Sequence, residues 1–135
     1  MTGTHAAMEE LEQGTCWALL AAAEVGRLAV VVDSAPDVFP VNHAVLDQRV
    51  LMRTAAGTKL FASLGRDVAF EVDGLEGATA WSVVAKGVAE EVLDEEGRRV
   101  ADERLDPWLD SDTQHVLAIR VDSITGRRFP VRGGR

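Results

Sequence analysis

The stretch that decides the fold is Leu51-Met52-Arg53-Thr54-Ala55-Ala56-Gly57-Thr58-Lys59-Leu60. Its order predicts a strand that ends in Arg-Thr, a turn of small residues, and a short amphipathic helix that opens with Thr-Lys. A helix N-terminus has unpaired backbone donors and a partial positive charge, which suits a phosphate group. The sequence therefore predicts an anion site made of two cations and two hydroxyls: Arg53, Thr54, Thr58 and Lys59.

The segments around this stretch are mostly strand-like. Alternating or β-branched apolar residues predict strands over residues 27–32, 38–46, 49–54, 67–73, 80–92 and 114–122. Gly87 predicts a bulge in its strand, and residues 27–32 are apolar enough to be buried on both faces. Helices are predicted over residues 8–23, with Gly26 as the stop signal, over 58–64, and over 94–105.

Six predicted strands and few helices favour a closed or partly closed antiparallel barrel. The length of 135 residues suits a single domain over residues 1–135, with a basic C-terminal tail at about 127–135 whose end is expected to fray.

Composition excludes several classes of protein. The net charge of −8 argues against broad nucleic-acid binding and against attachment to an anionic membrane. No apolar run approaches the roughly 20 residues that span a bilayer, and no signal peptide is evident. Cys16 is the single cysteine, which predicts a reducing, cytoplasmic compartment.

Common catalytic and metal motifs do not fit. Gly57-Thr58-Lys59 lacks the frame of a nucleotide-triphosphate loop. The histidines His5, His43 and His115 do not have the spacing of metal ligands, so no metal site is predicted, and structural roles are favoured for His43 and His115. No hydrolase triad is evident, and no catalytic residue is predicted.

Several words of the sequence, taken in order, resemble one family. They are Val25-Gly26-Arg27-Leu28, Pro40-Val41-Asn42, Arg53 through Leu60, Val68-Ala69-Phe70-Glu71-Val72-Asp73, Trp81-Ser82-Val83-Val84 with Gly87, and Ile124-Thr125-Gly126-Arg127-Arg128. The chain is similar over residues 16–128 to the short bacterial form of the flavin-nucleotide-binding split-barrel proteins related to pyridoxamine 5'-phosphate oxidase.

The resemblance implies a homodimer of six-stranded split barrels with flavin mononucleotide (FMN) at the subunit interface. It implies that the phosphate is held by Arg53, Thr54, Thr58 and Lys59. Trp81 and Ser82 would reach the phosphate or the ribityl chain, and Pro40, Val41 and Asn42 would lie along the isoalloxazine edge. The expected activity is that of an oxidoreductase whose substrate the sequence does not specify.

Two departures from the family argue against oxidation of pyridoxamine phosphate itself. The oxidase has an Arg-Gln-Val word where this chain has Trp81-Ser82-Val83, and it closes its substrate site with an Arg-x-x-Pro-type segment where this chain has Arg127-Arg128-Phe129-Pro130. Two alternatives stay open: a deazaflavin-dependent reductase, and a non-catalytic flavin-binding or structural dimer.

Overall fold

Strands make up most of the regular structure. The computed structural model describes residues 8–105 and 115–132. The strands are β1 (Glu9–Glu10), β2 (Val25–Val32), β3 (Ala35–Asn42), β4 (Ala44–Leu46), β5 (Arg49–Thr54), β6 (Asp67–Glu76), β7 (Thr79–Glu91) and β8 (His115–Pro130). The helices are α1 (Gln13–Ala22), α2 (Lys59–Ala62) and α3 (Glu95–Arg104). None of these helices is long and apolar enough to cross a bilayer.

All of these strands belong to one antiparallel sheet, with the order β3-β2-β6-β7-β8-β5-β4 and with β1 added beside β8. The two ends of this order, β3 and β4, are joined in the chain by His43 alone. A flat sheet of seven strands would separate its ends by roughly 29 Å, at about 4.8 Å per strand. One residue cannot span that distance, so the sheet curls until its ends meet. The predicted split barrel is thus confirmed, although the structure divides it into more strands than the six predicted.

The inner face of the curled sheet encloses the main core. Buried residues alternate along its strands because successive side chains point to opposite faces. They include Leu28, Val30, Val50, Met52, Phe70, Val72, Leu117 and Ile119. Helix α1 adds Cys16 and Leu20 to the same cluster.

A second, smaller core lies on the opposite face of β5 and β8. Leu51, Val116 and Ala118 pack there against Val100, Ala101 and Leu105 of the α3 segment. The predicted N-cap of α3 is confirmed, because Asp94 Oδ2 accepts a hydrogen bond from the Gly97 amide at 2.9 Å. Helix α3 therefore explains why this end of β5 and β8 is buried on both faces.

The N-terminal predictions need correction. Helix α1 begins at Gln13 instead of residue 8, since residues 9–10 form β1. Gly26 is not the helix stop, because α1 ends at Ala22 and Gly26 lies within β2. A Cβ atom at Gly26 would overlap the Phe70 ring, so glycine here admits a core aromatic residue. The prediction that β2 is buried on both faces is also wrong, since Val31 is 55% exposed.

Three other segments differ from prediction. The predicted strand over 38–46 breaks at His43 into β3 and β4, and the predicted loop over 74–79 shrinks to a turn after Glu76. Strand β8 continues to Pro130, well past the predicted end at 122, because β7 is long enough to pair with it as far as Thr79. The first part of the predicted tail, through Pro130, thus belongs to β8, and the end of the tail, residues 133–135, where fraying is expected, lies outside the described residues.

Candidate functional site

A corner between β5 and α2 carries two of the predicted hydroxyls. Thr58 caps α2, because its Oγ1 accepts the Phe61 N–H at 3.1 Å, and it donates to the Ala55 carbonyl at 2.7 Å. The buried Thr54 hydroxyl lies 2.8 Å from Thr58 Oγ1. Both hydroxyls can donate to the Ala55 carbonyl, and the shorter contact of Thr58, 2.7 Å against 3.4 Å for Thr54, favours Thr54 as the donor in this pair. The structure therefore brings Thr54 and Thr58 together as predicted.

Lys59 extends from this corner toward β3. Its Nζ donates to Asp37 Oδ2 at 2.6 Å. This hydrogen bond raises the pKa of Lys59 and lowers the pKa of Asp37, so both groups are charged at neutral pH. The ammonium group of Lys59 thus already holds an oxyanion in the structure, the carboxylate of Asp37.

Arg53 lies on the other side of β5. Its Nε donates to the Leu105 carbonyl at 2.9 Å, and its Nη2 donates to Asp102 Oδ1 at 2.9 Å. Only 11% of its side chain is exposed. The alternation of a regular strand sends Arg53 and Thr54 to opposite faces, so the structure does not bring Arg53 together with Lys59.

The predicted isoalloxazine-edge residues divide between the two faces of β3. Pro40 and Asn42 are exposed, whereas Val41 is partly buried against the main core. On β7, Trp81 likewise packs against the main core, and its ring lies over Gly74, where a Cβ atom would come within 2.7 Å of Trp81 Cζ2. The predicted cofactor residues therefore do not form one continuous cluster within a single subunit.

Ser82 occupies the outer face of the sheet, opposite Asp73. Between Ser82 and Pro40 the structure places an ionic cluster that sequence reasoning missed, made of Arg27, Glu71 and Asp73. Arg27 Nη2 lies 2.7 Å from Glu71 Oε1 and 2.6 Å from Asp73 Oδ2.

The register explains how this cluster forms. Arg27 pairs with Pro40 on one side and with Glu71 on the other, so the three lie in one row across β3, β2 and β6. Burial raises the pKa of Glu71, and the hydrogen bond that Asp73 accepts from Glu71 lowers the pKa of Asp73. The signal available in the sequence was the spacing of Glu71 and Asp73, two residues apart on one face of a predicted strand.

An apolar groove lies beside this cluster on the outer face. It has a volume of about 500 Å³ and is lined mainly by small apolar side chains, among them Ala29, Val31, Pro36, Val38 and Ala69. Asp37 also lines it, so the groove adjoins the Lys59 corner. Val31 and Val38 are each more than half exposed, and no prediction from the sequence placed a groove here.

A single antiparallel sheet that curls until its end strands meet is the architecture of a split-barrel protein. The sequence model of the family described as pyridoxamine 5'-phosphate oxidase matches residues 12–128. The chain therefore belongs to this family of flavin-nucleotide-binding split-barrel proteins.

Known proteins support the same assignment. The FAD-binding protein of Mycobacterium smegmatis superposes with a TM-score of 0.81 at 37% identity, over 90% of this chain and 98% of that one. A FAD-binding protein of Mesorhizobium loti gives a TM-score of 0.73 at 26% identity, over 90% and 97%. The uncharacterized protein Rv0080 of Mycobacterium tuberculosis is 36% identical over 128 residues, which cover 89% of this chain and 84% of that protein.

Proposed function

We propose that this chain binds a flavin nucleotide through its phosphate and uses it in an oxidation–reduction reaction. The observation that carries the proposal is the Lys59 ammonium group, which already holds an oxyanion beside the Thr54–Thr58 hydroxyl pair. Family membership and the similarity to the FAD-binding proteins of Mycobacterium smegmatis and Mesorhizobium loti support the flavin. The residues present at this corner thus fit a phosphate group.

Within this site the chain's own residues bind and orient the cofactor. Lys59 supplies charge-assisted hydrogen bonds, and Thr58 can turn its proton from the Ala55 carbonyl toward a phosphate oxygen. Pro40, Asn42 and Ser82 offer an outer surface for the rest of the ligand, while Val41 and Trp81 support it from the core side. The flavin supplies hydride and electron transfer when bound.

The family resemblance implies that Arg53 binds the phosphate, and this role requires the Arg53 side chain to move. Its guanidinium group is held by α3 through Leu105 and Asp102, so it reaches a phosphate only if it leaves that position. We therefore assign the phosphate to Lys59, Thr58 and Thr54, and keep Arg53 as a prediction that its substitution would test.

The phosphate anchor serves FMN, FAD and a deazaflavin equally well, since all three contain phosphate. FMN is the cofactor implied by the family resemblance, while the two similar structures are those of FAD-binding proteins. Mass spectrometry of the small molecule released on denaturation separates the three by mass. A protein purified with no bound molecule and unable to take up any of them would support the non-catalytic alternative.

We also propose that the protein acts as a homodimer. The support is the outer face of β2 and β3, where Val31 and Val38, which line the apolar groove, are each more than half exposed. Exposed apolar side chains grouped in this way are typical of protein–protein contacts. A second copy on this face would cover the groove and would bring Pro40 and Ser82 close to its own surface.

A reducing cytoplasm remains the predicted compartment of the protein. Cys16 is a buried free thiol.

The direct test is titration of the apoprotein with FMN, FAD and riboflavin, followed by flavin fluorescence. We expect both nucleotides to bind and riboflavin, which lacks phosphate, to bind at least tenfold more weakly. Equal affinities for FMN and riboflavin would contradict the phosphate anchor. Activity is then assayed as reduction of the bound flavin by a nicotinamide nucleotide, with pyridoxamine phosphate as the comparison substrate, which we expect not to be oxidised.

A further inference from the structure

The proposed phosphate ligand Lys59 is already engaged by another part of the chain. Asp37 accepts from Lys59 through Oδ2 at 2.6 Å, and its Oδ1 accepts from the Val38 amide at 3.1 Å. Both oxygens are therefore held, and the carboxylate has a fixed orientation. This inference rests on the proposed function, since it concerns the regulation of the same site.

The contact between Lys59 and Asp37 crosses the seam of the barrel, which is the place where the two ends of the strand order come together. Asp37 lies on β3, at one end of the strand order, whereas Lys59 begins α2 directly after β5, near the other end. Within the described residues, β3 has backbone pairing only with β2. The ion pair thus joins two elements that the sheet leaves unconnected.

A ligand can reach this pair from solvent. The side chains of Lys59 and Asp37 are 59% and 36% exposed, so a phosphate can approach without any core residue moving. An incoming phosphate would meet an ammonium group whose charge is already countered, and it would also meet the negative charge of Asp37. Both effects oppose binding.

We propose that Asp37 is an internal competitor for the flavin phosphate. It holds Lys59 across the seam when no ligand is bound, and the phosphate must displace it. Asp37 therefore lowers the affinity of the site for a phosphate ligand, and it makes that affinity depend on the charge of the ligand. Exposed ion pairs are weak, so a phosphate dianion displaces the Lys59–Asp37 pair readily. For the same reason, removal of the Asp37 charge should change the affinity for the phosphate ligand only modestly, by about two- to fivefold.

Asp37→Asn is the informative substitution, because asparagine keeps the size and an oxygen for the Val38 amide but removes the charge. We expect this variant to bind FMN about two- to fivefold more tightly than the parent. Its affinity for riboflavin should not change. Asp33→Asn is the matched control, since it removes the same charge from the same β2–β3 hairpin at a residue whose charge acts on Lys59 more weakly than that of Asp37 and without a hydrogen bond.

The inference is overturned if Asp37→Asn binds FMN no more tightly than the parent, or if Asp33→Asn produces an equal gain. Weaker binding would mean that Asp37 orients Lys59 for the ligand. A parent that binds FMN, combined with an unchanged Asp37→Asn, contradicts this inference and leaves the proposed function intact. If neither protein binds FMN or FAD, both are wrong. Circular dichroism of each variant verifies that the fold is retained.

Discussion

At the scale of single residues, His43 is a titratable side chain that lies inside the core. It is the one-residue link between β3 and β4, and it is buried. Its Nε2 lies 2.8 Å from the Leu20 carbonyl, so Nε2 bears the proton, while Nδ1 is buried without a partner among the described residues. The ring centroids of Phe70 and His43 lie 4.8 Å apart, and the two rings are packed edge to face. The imidazole therefore belongs to the core in its neutral form.

Burial lowers the pKa of His43 below its ordinary value near 6.5. The unfolded chain then binds a proton at a higher pH than the folded chain does. Stability from this group is present above about pH 6.5 and is lost as the pH falls below it. Glutamine in place of His43 keeps an N–H for the Leu20 carbonyl but does not titrate. We therefore expect the His43→Gln protein to lose less stability than the parent between pH 7.5 and pH 5, with a difference on the order of 1 kcal/mol. Urea unfolding at both pH values measures this, and equal losses in the two proteins would contradict it.

Lys59 gives the second prediction at this scale. Lys59→Ala removes the charge-assisted hydrogen bonds to the phosphate, so we expect FMN affinity to fall by about ten- to a hundredfold. Lys59→Arg should be milder, because it keeps the charge and changes only the geometry. Thermal stability should change little in either variant, since the side chain is exposed. If Lys59→Ala binds FMN as tightly as the parent, the phosphate site lies elsewhere.

At the scale of elements, the pairing of β7 with β8 shifts register between Lys86 and Gly87, which pair with Ser123 and Val121. The irregularity predicted at Gly87 is therefore present, but the extra residue, Asp122, lies in the partner strand β8 and not in the strand of Gly87. A Cβ atom at Gly87 would overlap the Arg120 carbonyl group of β8. Because the obstacle is backbone in the central strand pair, no rotamer change can relieve the overlap.

Two identical substitutions should therefore have opposite effects. Gly87→Ala should destabilise the protein by at least about 1–3 kcal/mol. Gly14→Ala, in α1 with nothing within 4 Å of the added atom, should stabilise it by up to about 1 kcal/mol, since alanine favours helix. Chemical denaturation of both variants tests the pair. A Gly87→Ala protein as stable as the parent would show that the bulge can rearrange.

Local patterns predict an element well when its signals lie within it. Strand β5 keeps its predicted bounds at Arg49 and Thr54, and the cap of α3 is the predicted Asp94. Features that depend on distant partners were missed. The length of β8 is set by β7, and Lys59 is paired with a residue 22 positions away. The position of Arg53 depends on α3, which the anion-site pattern did not include.

At the scale of the whole molecule, the outer face is the feature that a single subunit leaves unexplained. The proposed homodimer would use this face, where exposed valine side chains lie around a groove on an acidic protein. The ionic cluster of Arg27, Glu71 and Asp73 lies beside it and is only partly exposed. A second copy packed here would bury apolar and ionic surface together.

We expect the protein to sediment as a dimer at micromolar concentration, with about 2,000 Å² buried in total. Val38→Asp should shift it toward monomer, because each subunit would place a carboxylate in the apolar contact. Leu93→Asp is the matched control, since Leu93 is 77% exposed at the α3 end of the sheet and its substitution should leave the dimer intact. A parent of 14.5 kDa in solution, or a Val38→Asp dimer as tight as the parent's, would rule out this interface.

The central position of β8 has a consequence for how the chain is made. Strand β5 is paired only with β4 and β8 in the described part of the sheet, so the β4–β5 hairpin reaches the rest of the barrel through β8, which follows its pairing partners in the chain. Until residues 115–130 have left the ribosome, β2, β3, β6 and β7 can pair with one another, but the barrel interior has no second wall. The nascent chain must therefore hold its apolar inner face open to water until β8 emerges, and a message truncated before this strand would produce a protein that cannot close.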